Sequence, residues 1–267
     1  MKKILLTFAL LFALALGTWA EDVNYIYYQM IDLGYEASIY KNNDKASNPT
    51  VLTSTLLENS NEDNLDTGWY VLNSTFSYAE RIVISGDVKL ILKDGCTLTA
   101  EQGIRINTDA TLTIYAQSED EATMGKIVAR ETHHDKAAIG GNKNFVAGRL
   151  FIHGGNIEAN CTDGSKYAAG IGGGENRDGW NTNVYGGNIT AKGGIFYGAG
   201  IGGGSQGEGG NLHVYGGTVN AQGGTSGAGI GSGYEGEGGN LRTPSTDDAS
   251  AASPRLEEYI STMAGKL

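Results

Sequence analysis

Between Val88 and Leu241 apolar and polar residues alternate in runs of three to five, each closed by glycine, threonine, asparagine or aspartate. Val88-Lys89-Leu90-Ile91-Leu92, Thr97-Leu98-Thr99-Ala100 and Gly103-Ile104-Arg105-Ile106 form one set. Thr111-Leu112-Thr113-Ile114-Tyr115, Lys126-Ile127-Val128-Ala129 and Ala137-Ala138-Ile139 form the next. A period of two marks strands, and the runs are too short for helices. Trp69–Leu72 and Arg81–Ile84 fit an incomplete earlier set.

Downstream the sets become an explicit repeat. Ala168-Ala169-Gly170-Ile171-Gly172-Gly173 returns as Gly198-Ala199-Gly200-Ile201-Gly202-Gly203 and as Gly227-Ala228-Gly229-Ile230-Gly231-Ser232. Ile139, Ile171, Ile201 and Ile230 are 32, 30 and 29 residues apart. In phase with them run His153-Gly154-Gly155, Tyr185-Gly186-Gly187 and Tyr215-Gly216-Gly217. The glycine pairs suit sharp corners that need positive φ. Three short strands per repeat of about 30 residues, each with one apolar face, predict an all-β chain: a right-handed parallel β-helix whose stacked coils supply one another's core. About five full coils make a stack roughly 25 Å long at ~4.8 Å per strand. A looser glycine-rich β-roll is the alternative, but its nine-residue calcium repeat does not occur.

The pattern divides the chain. Residues 1–20 read as a signal peptide, with Lys2 and Lys3, an apolar run from Ile4 to Leu16, and Thr18-Trp19-Ala20 before the cut. That run is shorter than the ~20 residues of a membrane span, and no later stretch is as apolar, so no transmembrane segment is expected. Residues 21–68, tyrosine-rich and then polar, read as an N-terminal cap and loop; 69–243 carry the repeats. In 244–267 the repeat breaks off, and Ser253, Pro254, Leu256, Tyr259, Ile260 and Met263 predict a short C-terminal helix, capping or without a role.

Charge and composition then narrow the partners. Without the first twenty residues, 17 basic face 30 acidic residues, a net −13. That disfavours nucleic acid and anionic membrane surfaces. Glycine supplies 42 of 267 residues, against a usual ~7%, and 34 of them lie between Gly140 and Gly239, without the triplet period of collagen. The expected location is secreted, extracellular or at a bacterial cell surface, with the periplasm as the other compartment such a leader serves.

Strand phase also places side chains. If Leu112, Ile114, Leu150, Ile152, Leu212 and Val214 face inward, one outward column reads Lys93, Tyr115, His153, Tyr185, Tyr215, and its neighbour Ile91, Thr113, Phe151, Asn183, His213. The rings make either a platform on which polysaccharide stacks or a ladder whose rings stiffen the sheet by stacking on one another. Glu175, Asp178, Glu208 and Glu237 follow the Ile-Gly turns; they are either Ca²⁺ ligands or solvated loop acids. Cys96 and Cys161 lie near strand ends, and a disulfide between them is possible in a secretory compartment. No other cofactor is implied. His133-His134-Asp135 reads as an exposed loop, since adjacent residues rarely converge on one metal.

From Gly68-Trp69-Tyr70-Val71 through Arg81-Ile82-Val83-Ile84 and Met124-Gly125-Lys126, and on through the Ala-Gly-Ile-Gly-Gly repeats, residues 68–241 resemble glycine-rich secreted β-helix proteins of gut and rumen bacteria, often large surface proteins described as carbohydrate-binding-like. The resemblance implies an extracellular module and brings no catalytic motif. Asn107-Thr108-Asp109 resembles the first piece of a polygalacturonase site, but the paired aspartate and the Gly-His-Gly and Arg-Ile-Lys pieces are missing. Glycoside hydrolysis needs two carboxylates flanking the bond. The expectation is therefore not an enzyme but a module that binds glycan or adheres through Tyr115, Phe151, His153, Tyr185, His213 and Tyr215. A structural spacer is the alternative, and a polysaccharide lyase or hydrolase comes third.

Overall fold

A computed structural model of the chain describes residues 20–32, 37–60, 64–143, 145–161 and 164–243. The expected signal peptide, except Ala20, and the expected helix within 244–267 lie outside the described residues.

The strands form a parallel β-helix. Each coil visits three sheets in turn, and within every sheet each strand pairs in parallel with its counterpart one coil away. The first sheet runs from Thr50–Val51 and Gly68–Leu72 through Asp87–Leu92, Thr111–Ala116, Arg149–Ile152, Asn181–Val184 and Asn211–Val214 to Asn240–Arg242. The second runs from Phe76–Tyr78 through Thr97–Ala100, Lys126–Glu131, Asn156–Cys161 and Asn188–Lys192 to Thr218–Gln222. The third runs from Asn64–Leu65 and Ile82–Ile84 to the two-residue strands Ile171–Gly172, Ile201–Gly202 and Ile230–Gly231. Among the described residues six coils are complete, one more than expected. The additional one closes through Phe76–Tyr78, whose three residues are too few to show a period.

The core follows the alternation. Leu98, Ile127, Ile157 and Ile189 fill one column of the second sheet, and Ala100, Ala129, Ala159 and Ala191 the next, all essentially inaccessible. In the third sheet Ile139, Ile171 and Ile201 repeat, followed by a glycine with φ near +135°. Gly202 needs that conformation, and a Cβ there would run into the Gly231 carbonyl oxygen of the next coil.

The start of the stack is closed by a one-turn helix, Ser54–Glu58, capped by Thr53, whose Oγ1 accepts the Leu56 N–H at 3.1 Å. Leu52, Leu57 and Leu65 sit beneath the first coil with almost no exposure. A β-hairpin, Val23–Asp32 with Ala37–Ala46, does something different. Its first strand meets the first sheet antiparallel at Ile26 and Ala116 and lies across the outward side of several coils. Val23, Tyr25, Val51, Val71, Ile91 and Tyr115 form a second small core beneath it.

Among the described residues a charged pair, Arg81 and Glu131, lies inside. Arg81 donates to Glu131, to the Gln102 carbonyl and to the Ala137 carbonyl, bracing three consecutive coils. Glu131 is fully buried and also accepts the N–H groups of Thr132 and His133.

Candidate functional site

The corner between the first and second sheets carries the outward aromatic column. Tyr115 is the penultimate residue of its strand, while His153, Tyr185 and Tyr215 follow theirs directly, each before a Gly-Gly corner or its counterpart. The second glycine of each pair has positive φ: +99° at Gly155, +88° at Gly187 and +81° at Gly217. Ring centroids step along the stack at 5.0 Å from Tyr115 to His153, 4.7 Å to Tyr185 and 4.9 Å to Tyr215, with planes 5° to 15° apart.

The upstream end of this column differs from expectation. Tyr115 pairs with Ile91 and not Lys93, and Thr113 with Lys89 and not Ile91. A slip of two residues keeps every side chain on its face, so alternation alone cannot reveal it. Nor is Tyr115 exposed. It retains 9% of its surface, and burial lifts its hydroxyl pKa to about 12. The Tyr25 ring lies 4.7 Å from Tyr115 and 4.9 Å from Trp69.

His153 is likewise committed to the hairpin. Its Nδ1 accepts the Tyr28 N–H at 3.0 Å, which leaves the proton of the neutral ring on Nε2. Burial lowers its pKa to about 4. The Tyr28 hydroxyl donates to Glu119, which also pairs with Lys41, and those contacts hold the Glu119 carboxyl below its ordinary value against its own desolvation. Of the expected glycan residues, Tyr185 and Tyr215 stay half-exposed beyond the hairpin. The neighbouring row Lys89, Thr113, Phe151, Asn183, His213 continues to Arg242; Phe151 and His213 are half-exposed, and the His213 ring stands edge-on to Tyr215 at 6.0 Å.

Between the hairpin and the corner lies a groove of about 400 Å³. Tyr28, Ser118, Glu119 and Glu121 form one wall, His153 and Asn188 contribute polar edges, and Gly154, Gly186, Gly187 and Gly217 make the floor. A Cβ at Gly186 would lie 2.8 Å from the His153 carbonyl oxygen and 3.0 Å from the Tyr28 ring, so glycine there relieves crowding with both the neighbouring coil and the hairpin.

The acidic residues occupy the corner between the third and first sheets. Asp178, Glu208 and Glu237 fall in one row, marked by the Gly179 N–H on the Glu208 carbonyl and the Gly209 N–H on the Glu237 carbonyl. Asp178 accepts the Glu208 N–H at 2.9 Å, and Glu175 pairs instead with Lys143 at 2.9 Å. Among the described residues, no three His, Cys, Asp or Glu side chains converge as a metal cage.

The cysteine pairing is corrected. Both thiols are free. Cys96 precedes the start of a second-sheet strand and Cys161 ends another two coils on, with Thr97, Lys126 and Asn156 in register. They are therefore about 20 Å apart along the strand direction, far beyond the ~7 Å that a disulfide spans. Cys161 is buried, its pKa lifted to about 11, with Sγ 3.3 Å from the Ala169 carbonyl. In the His133-His134-Asp135 loop, His133 Nδ1 sits 2.7 Å from Glu131, and His134 packs its ring against Tyr167.

Sequence reasoning missed a second aromatic series beside the third sheet, with Tyr167 and Tyr197 at the corner between the second and third sheets and Tyr234 on the loop that follows the third-sheet strand Ile230–Gly231. Tyr167 and Tyr197 stack at 5.6 Å and 10°, and Tyr234 meets Tyr197 at 4.8 Å. The signal was present: Tyr167 and Tyr197 hold the same place before the Ala-Gly-Ile segment.

These coils define a parallel β-helix protein. A family model described as a beta helix repeat matches residues 152–175, 183–205 and 212–234, which are the glycine-rich coils. Comparison with the curated proteins and with the solved structures finds no match.

Proposed function

We propose that the chain is a non-catalytic, secreted or cell-surface module that binds glycan in the groove beside the hairpin and along Tyr185 and Tyr215, which continue the aromatic column next to it. The groove carries this reading: a glycine floor, the Tyr28 and His153 rings, apolar contacts from Ile26, Ala116 and Met124, and several hydroxyl, amide and carboxylate groups suit a neutral or cationic polyol. Face-to-face ring stacking turns the Tyr185 faces toward its neighbours, so recognition uses ring edges and hydroxyls there, with an open ring face only at the downstream end of the column. The ionised state of Glu119 argues against a general acid, which needs a raised pKa. The net charge of residues 21–267 disfavours acidic polysaccharides.

The second reading is a stiff surface spacer, favoured by the same ring stacking, which rigidifies the corner without any ligand. Depletion of residues 21–267 from solution by insoluble polysaccharides separates the two. Binding that Tyr185→Ala with Tyr215→Ala removes, at an unchanged melting midpoint, supports recognition. Lowered stability with no depletion by any polysaccharide supports the spacer. Loss of binding with EDTA would assign the Asp178–Glu208–Glu237 row to calcium.

A further inference from the structure

The second aromatic series has a geometry that the first lacks. Its upstream rings, Tyr167 and Tyr197, lie nearly parallel, but at the downstream end the series splays. Tyr234 is tilted 35° from Tyr197, and Phe196 lies 5.9 Å from Tyr197 at 47°. Phe196 and Tyr234 are 42% and 41% exposed. Ladder stacking explains Tyr197; it does not explain Phe196, which is no rung. Five residues before the third-sheet isoleucine, the coils on either side carry Lys166 and Thr225 in its place. Four residues after that isoleucine, where Tyr234 stands, the preceding coils carry Glu175 and Ser205. Two large apolar rings thus replace polar residues on either side of the third sheet, each within ring contact of Tyr197. Gln206 and Glu235, 3.3 Å apart, supply polar groups beside Tyr234.

We infer that Phe196, Tyr197 and Tyr234 form a second glycan site, one that grips a neutral pyranose by its apolar face. This rests on the glycan-binding reading and adds a different mode: ring faces here, ring edges and a groove at the first corner. Size decides between partners. Three rings of ~150–250 Å² each, two of them about two-fifths exposed, offer roughly 200 Å² of apolar surface. A stable protein interface needs ~800 Å² per partner, whereas one or two sugar rings need no more than this patch. The two corners flank the second sheet, so a chain binding at both would be held by two sites on one rigid body, and avidity for a polymer would exceed that of either site.

Isothermal titration of residues 21–267 with β-1,4-linked hexasaccharides of glucose, mannose, xylose and N-acetylglucosamine tests this. Two hexasaccharides per chain are expected for the one that binds. Phe196→Thr with Tyr234→Ser installs the residues that a neighbouring coil carries at each place, so the melting midpoint should hold while the stoichiometry falls to one. Tyr185→Ala with Tyr215→Ala should remove the other site, and the combination both. A stoichiometry of one that survives Phe196→Thr with Tyr234→Ser and disappears with Tyr185→Ala and Tyr215→Ala overturns the second site and leaves the first. The reverse pattern upholds the second site and overturns the groove. No heat with any hexasaccharide overturns both.

Discussion

At the scale of single residues, the tight stack leaves little freedom in backbone conformation. Gly202 combines a φ of +136° with a neighbouring coil where its Cβ would go. Gly202→Ala should therefore cost at least about 2 kcal/mol, since strain of ~1–3 kcal/mol adds to a clash against backbone that cannot yield. Chemical denaturation reads it as a lower midpoint. Gln206 is the opposite case: it sits at φ +59° with a side chain, and Gln206→Gly should stabilise by up to about 1 kcal/mol. The Arg81–Glu131 pair predicts a third effect. Arg81→Ala should lose about 3–5 kcal/mol, because a buried carboxylate keeps its desolvation cost when its cation is removed. The inward residues were legible in the sequence, since every other position of each run is apolar. Arg81 and Glu131 were not, because nothing local marks two charges fifty residues apart as partners.

Among the elements, the hairpin decides what the first corner can do. It covers Val71, Ile91 and Tyr115 and takes up His153, so only the downstream half of the expected column remains open. His153 provides a titration that reports hairpin docking. Its folded pKa, about 4, lies below the ordinary 6.5 because Tyr28, Tyr115 and Tyr185 bury it, while Glu119 is spent on Lys41 and the Tyr28 hydroxyl. Between pH 6.5 and about 4 the unfolded chain binds a proton that the folded chain does not. Stability then falls as pH falls through this window, by at most about 3 kcal/mol. His153→Gln keeps an acceptor for the Tyr28 N–H and should flatten the stability profile between those limits. An unchanged slope would show that other groups titrate there.

For the whole molecule, a stack of coils has stability that depends on its neighbours. The middle coils are covered from both sides. In the last, Val219, Ala221 and Ile230 are half-exposed where Ile189, Ala191 and Ile201 are buried, and Leu241 is 45% exposed. Hydrogen exchange should be slowest in 111–161 and fastest in 218–242. Uniform protection would show that another surface covers the final coil.

Alternation of period two, glycine at the corners and a repeat near 30 residues determined the parallel β-helix, because each is a local property of the chain and the coils reuse it. They also determined which residues turn outward. Tertiary structure decided which of those remain available. The Lys93 placement failed because a two-residue slip preserves face. The Cys96–Cys161 pairing failed because position along a strand separates residues that coil counting leaves undefined. Tyr115 is buried because Tyr25, ninety residues earlier in the chain, lands on it, and no period in either segment records that contact.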